Sequence, residues 1–206
     1  MLEKLKKDNL VYYIYQRGSS IYGLNNKNSD IDYFVIVDDK YKNENIIFNP
    51  NYPNQLGNIK IDNEDFTFIS ISEWFKKIEN SDIDAWECAC LPKKFIHKEH
   101  VKLLLSTDPL KIRTQIDELM LNVDSNQNYC EIIRKCKFAI QIIENHKIVN
   151  FKEANSECIV LKNIDDLSEK HLMFRQLIKT PISILKKLTD GIVEKSKLKR
   201  LVQKAT

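Results

Sequence analysis

Residues 11–39 read VYYIYQRGSSIYGLNNKNSDIDYFVIVDD. Val11 to Tyr15 is aromatic and β-branched, the composition of a pleated, half-buried strand. The run ends in Arg17-Gly18-Ser19-Ser20. Gly18 can take backbone conformations closed to other residues, so the chain can turn sharply there. Ser19 or Ser20 is then expected to cap a short helix that closes near Gly23. Such a turn points free backbone N–H groups outward beside two hydroxyls, which suits a phosphate.

The second strand runs from about Ile31 to Val37, with Asp30 and Asp32 at its entrance. Side chains two apart on a strand project to one face. Two bare carboxylates aimed at one point repel, and one protonates unless a cation sits between them. Magnesium prefers a few carboxylates together with phosphate oxygens and water, so it is the simplest occupant. The plain structural alternative is a pair of acids solvating a strand entrance.

Gly18-Ser19, a gap, and Asp30-x-Asp32 on an apolar strand resemble the signature of the DNA polymerase β-like nucleotidyltransferase superfamily. The longer string GSSIYGLNNKNSDID, with Tyr22-Gly23 and with Ser29 before Asp30, is most similar to its branch of predicted nucleotidyltransferases. Members there read roughly G-S-x-x-(Y/F)-G, then S-D-x-D. The resemblance implies an α+β fold, a polymerase β-like core of mixed sheet and helices followed by a C-terminal helical bundle. It also implies transfer of a nucleoside monophosphate from a nucleoside triphosphate such as ATP to an acceptor hydroxyl, with release of pyrophosphate.

The resemblance assigns roles as well. Asp30 and Asp32 would hold two Mg²⁺ ions, and a third carboxylate would come from a neighbouring strand. Asp62, Glu64 and Asp65 are the candidates. Asp65 leads DFTFISI into Ser72-Glu73-Trp74-Phe75 and is preferred; Asp62 is second. Glu64 would face away from Asp65 on a regular strand. Gly18 and Ser19 would hold the β- and γ-phosphates, assisted by Ser20 and Arg17. The acceptor is RNA, a protein or a small molecule. Related folds that have lost a carboxylate serve as catalytically silent binding or regulatory modules. The intact Gly-Ser and both strand carboxylates favour an enzyme here.

Composition sets outer bounds. At 206 residues, 43% of them hydrophobic, the chain can bury a real core. A net charge of +3 is mildly basic and short of a dedicated nucleic-acid binder. Five cysteines, an odd number without framework spacing, suit reduced thiols and a cytoplasmic setting. No apolar run approaches the ~20 residues that span a bilayer, so no membrane partner is expected.

The remainder is read more coarsely. Residues 40–60, with Pro50, Pro53 and Gly57, are a loop that could act as a lid near the site and help select the acceptor. Residues 58–71 form a strand or hairpin, and Ser72 is expected to cap the next helix. Glu87 lies in an apolar helix that ends at Pro92; it faces the site or pairs with Lys93 or Lys94. Cys88-x-Cys90 with His97-x-x-His100 fits a zinc site poorly, and core cysteines are the simpler reading. Helices are expected over 109–123, 126–147, 151–163 and 167–189, with a boundary at Asp190-Gly191 and a basic tail beyond. Arg134, Lys135 and Lys137 would meet phosphates or form a solvated face. The expected division is a catalytic domain over 1–107 and a helical domain over 108–206.

Overall fold

The computed structural model describes residues 1–27, 29–41, 57–123 and 128–205, with side chains to residue 192. Most of the expected 40–60 loop lies outside these residues. The chain divides into two compact units, residues 1–80 with 84–106, and residues 81–83 with 107–206.

The first unit is built on a mixed sheet of five strands, β1 (Val11–Arg17), β2 (Ile31–Val37), β3 (Gly57–Ile61), β4 (Glu64–Ser70) and β5 (Ile96–Glu99). Their order across the sheet is β3-β4-β2-β1-β5. β2 and β4 run parallel, and the other pairs are antiparallel. The strands bury apolar residues on both faces. On one face Tyr33, Val35 and Val37 join Phe66, Phe68, Val11 and Ile14, together with Leu5 from α1 (Leu2–Lys7). On the other, Trp74 packs its indole against Tyr15 and Phe34. A strand covered on both sides reads as a continuous apolar run rather than an alternating one, as Tyr33 to Val37 does.

α2 (Ser19–Tyr22) follows β1 directly and ends on Gly23, whose φ of 71° places it in the left-handed region that favours glycine. Neither serine caps it; Gly18 occupies the cap position. α3 (Ile71–Glu79) is capped by Ser70, which accepts from the Glu73 amide, rather than by Ser72. Ser72 is engaged by Asp39 instead. α4 (Ile83–Cys90) stops before Pro92. The residues after it form β5 on the edge beside β1, a strand too short to stand out by pattern. His97 meets Gln16 at 3.2 Å and the edge of Tyr33, and His100 packs on Tyr12. Among the described residues no cluster of Cys, His, Asp or Glu converges to hold a metal as it stands.

The second unit is helical: α5 (Pro109–Leu121), α6 (Tyr129–Asn145), α7 (Asn155–Lys162) and α8 (Leu167–Ala205). α8 passes through Asp190-Gly191 without a break, against the expected boundary. Ile112, Ile116, Ile132, Cys136, Phe138, Phe174 and Leu185 are fully buried between these helices. Gln141 is buried too. It accepts from the Val149 and Asn150 amides and donates to the Asn150 carbonyl, so the loop after α6 is bound to the helix. The α6 lysines are spent within this unit, Lys135 on Glu131 at 3.1 Å and Lys137 on Glu157 at 2.5 Å. Arg134 approaches the Cys158 thiol at 3.8 Å. Among the described residues no helix is long and apolar enough to cross a membrane.

Candidate active site

The site is laid out by sheet register. One row crosses four strands: Arg17 on β1 pairs with Asp32 on β2, Asp32 with Asp65 on β4, and Asp65 with Lys60 on β3. Residues in register on adjacent strands share a face, so two acids stand side by side between two bases. The expected third carboxylate is thus beside Asp32. Asp62 is exposed in the two-residue turn between β3 and β4, with a φ of 51°. Glu64 turns to the opposite face, where it bonds the Tyr33 hydroxyl.

Asp30 immediately precedes β2. Ser29 shapes the approach by accepting from the Asn26 amide at 2.9 Å. The Ile31 amide bonds the Asn63 carbonyl at 2.7 Å, tying the head of β2 to the β3–β4 turn. The Asp30 carboxylate meets Lys60 Nζ at 2.6 Å. Lys60 was not foreseen, although its position is readable: a turn at Asp62-Asn63 pairs Ile61 with Glu64 and hence Lys60 with Asp65.

Gly18 closes the row from the side. Its φ is 79°, and a Cβ there would overlap Asp32 Oδ2 and approach Asp32 Cγ to 2.9 Å. Backbone and carboxylate are therefore packed with no room for a side chain. Ser20 accepts from Gln16 Nε2 at 2.9 Å and donates to the Arg17 carbonyl, buttressing the turn. Ser19 begins α2. Arg17 does not reach toward the acids of its row. Its Nη2 donates to Asp84 at 2.8 Å and Glu87 at 3.2 Å on α4, and its guanidinium lies 5.3 Å over Phe34. Glu87 itself is buried and accepts from the Tyr22 hydroxyl at 2.5 Å rather than pairing with Lys93 or Lys94. The involvement of Asp84 left no sequence signal, since it depends on how α4 lies against β1.

Burial raises the Asp32 carboxyl above its ordinary range; Asp65 and Asp30 add to the rise, while Arg17 and Lys60 oppose it. Asp65 carries a buried Oδ1 with no hydrogen-bond partner. An orphaned buried acceptor is costly and marks a place built for something else. The donor set is all carboxylate oxygen beside a turn of backbone amides, which fits a hard divalent cation such as magnesium. Residues 1–150 match the family model described as "Nucleotidyltransferase domain".

The chain belongs to the nucleotidyltransferase family.

Its Gly18-Ser19, Asp30-x-Asp32 and mixed sheet lie within the matched span. This nucleotidyltransferase also aligns with the solved structure of a spectinomycin adenyltransferase from Enterococcus faecialis, crystallised with ATP and spectinomycin. The alignment covers 92% of this chain and 94% of that one, at 14% identity and a TM-score of 0.40. Among curated proteins, none matches the chain.

One prediction arises from the electrostatics. Asp32 has a raised folded pKa, so its ionised form opposes folding above that pKa and the opposition fades as pH falls through it. Asp32→Asn in metal-free nucleotidyltransferase is therefore expected to raise Tm at neutral pH. The gain over wild type should shrink as pH is lowered into the titration range of Asp32. Scanning calorimetry of both proteins across that range checks it; a Tm difference that is negative, or constant with pH, contradicts the account.

Proposed function

We propose that this nucleotidyltransferase moves a nucleoside monophosphate from a nucleoside triphosphate to an acceptor hydroxyl, in a Mg²⁺-dependent reaction that releases pyrophosphate. The observation that carries the reading is the in-register pair Asp32 and Asp65, set against Gly18, with an Asp65 oxygen left unpartnered. Asp30, Asp32 and Asp65 would hold the magnesium ions, two in number by the family resemblance. Bound magnesium would lower the pKa of the acceptor hydroxyl and neutralise charge on the leaving pyrophosphate.

The chain's own residues supply position. Gly18 and Ser19 offer backbone N–H groups and a hydroxyl to the β- and γ-phosphates, which aims the α-phosphorus at the Asp32–Asp65 pair. Asp65 orients the acceptor hydroxyl from the adjacent strand. The acceptor oxygen forms a new bond to the α-phosphorus, the hydroxyl passes its proton to solvent water, and the α–β bridging bond breaks with its electron pair leaving on pyrophosphate. Ser20 and Arg17 act from behind, since Ser20 is bonded to the Arg17 carbonyl within the turn and the Arg17 guanidinium to Asp84 on α4. Asp30 must exchange Lys60 for the cation.

The test is incubation with each α-³²P-labelled triphosphate and MgCl₂, together with pooled RNA, DNA, protein and small hydroxyl compounds. One acceptor class should take up label, and γ-labelled triphosphate should leave none on it. Triphosphate binding without transfer to any class would replace this reading with a nucleotide-binding module.

A further inference from the structure

The turn that presents Gly18 and Ser19 is held at both ends by one buried acid. Arg17 stands immediately before Gly18, and Tyr22 closes the short helix after it. Both bond Glu87: Arg17 Nη2 at 3.2 Å to one carboxylate oxygen, and the Tyr22 hydroxyl at 2.5 Å to the other. Glu87 is 2% exposed and Tyr22 is 6% exposed. Asp84, one turn earlier on α4, takes Arg17 at 2.8 Å and also faces Lys77 at 3.6 Å.

A carboxylate this deeply buried is retained at a cost unless its hydrogen bonds and a counter-charge compensate. Here both compensations come from the two residues that bracket the turn. Burial alone would push the Arg17 guanidinium down; Asp84 and Glu87 more than reverse this and keep it charged. The two oxygens of Glu87 thus fix the separation between the end of β1 and the end of α2. They fix with it the seat of Gly18 against Asp32, where no side chain fits.

We propose that Glu87 is a positioning residue that clamps the Gly18–Tyr22 turn in its triphosphate-binding shape through Arg17 and Tyr22. The proposal rests on the nucleotide reading of the turn given above. Glu87 touches neither substrate nor the reacting atoms. It acts by preorganisation, so its loss falls on nucleotide affinity rather than on chemistry once nucleotide is bound. Glu87→Gln keeps the volume and an acceptor for Tyr22 but removes the charge facing Arg17. Tyr22→Phe deletes one hydroxyl and leaves the ring in place.

The experiment is calorimetric titration of the full chain with α,β-methylene analogues of ATP, GTP, CTP and UTP in MgCl₂, alongside steady-state kinetics. Glu87→Gln should raise Kd and nucleotide KM about tenfold, the scale of a charged buried hydrogen bond, with a much smaller change in kcat. Tyr22→Phe should raise Kd by less. The double variant should fall short of the product of the two, because both changes loosen one clamp. If Glu87→Gln does not fold, Tyr22→Phe decides alone. Folded variants that lose Tm yet bind nucleotide within about twofold of wild type overturn the clamp and make Glu87 a stability residue. A wild-type chain that binds none of the analogues overturns the nucleotide reading and the clamp with it. Tight wild-type binding with indifferent variants overturns the clamp alone.

Discussion

Asp65→Asn is expected to leave the fold and triphosphate binding in place and to abolish transfer. The isostere keeps the shape of a half-buried residue at the head of β4, so sheet pairing with Asp32 and Lys60 survives. It removes the negative charge from an acid whose inner oxygen has no partner. A member of a concerted catalytic set is lost on the scale of about 10³-fold or more in kcat. Circular dichroism, analogue binding and label transfer from α-³²P triphosphate measure the three properties separately. Asp62→Asn is the control, expected to stay near wild type because Asp62 sits exposed in the turn. Loss of transfer in Asp62→Asn with retention in Asp65→Asn would remove Asp65 from the site.

Gly18→Val should be as damaging by another route. The φ of 79° is strained for any L side chain and more so for a β-branched one. A Cβ would also drive into the Asp32 carboxylate, which is held by strand pairing on both sides. The neighbour cannot yield without leaving the sheet row. Triphosphate affinity is expected to fall beyond detection, about 100-fold or more. Folding should weaken by about 1–3 kcal/mol from the forced backbone. Urea unfolding and analogue titration would check both. A folded Gly18→Val protein with wild-type affinity would show that the turn carries no nucleotide.

Much of this arrangement is legible in the sequence, for definite reasons. β1, α2 and β2 are adjacent in the chain, so the turn at Gly18, the close at Gly23 and the strand from Ile31 follow from local chemistry. Asp65 follows from alternation once Asp62-Asn63 is taken as the turn. The parts that escaped are those set by tertiary contact. Glu87 reads equally as facing the site or as paired with a nearby lysine, because its partners Arg17 and Tyr22 lie far back in the chain. Ser70 and Ser72 are both good caps, and the choice between them turns on Asp39 claiming Ser72. β5 is four residues long and owes its strand conformation to the open edge of β1 rather than to propensity. Through Asp190-Gly191, α8 overrides a local breaker signal, with Thr189 bonded to the Leu185 carbonyl and Arg113 reaching both Thr189 and Asp190.

The parallel pairing of β2 with β4 has a consequence for how this chain can change length. Asp32 and Asp65 meet because two strands are aligned residue for residue from Ile31–Glu64 to Val37–Ser70. Inserting or deleting one residue in either strand would turn its side chains to the opposite face, delivering a carboxylate into the apolar layer of Phe66 and Phe68. The two strands that carry the acids are therefore closed to insertion and deletion, so any change of length compatible with the acid pair must fall outside residues 31–37 and 64–70.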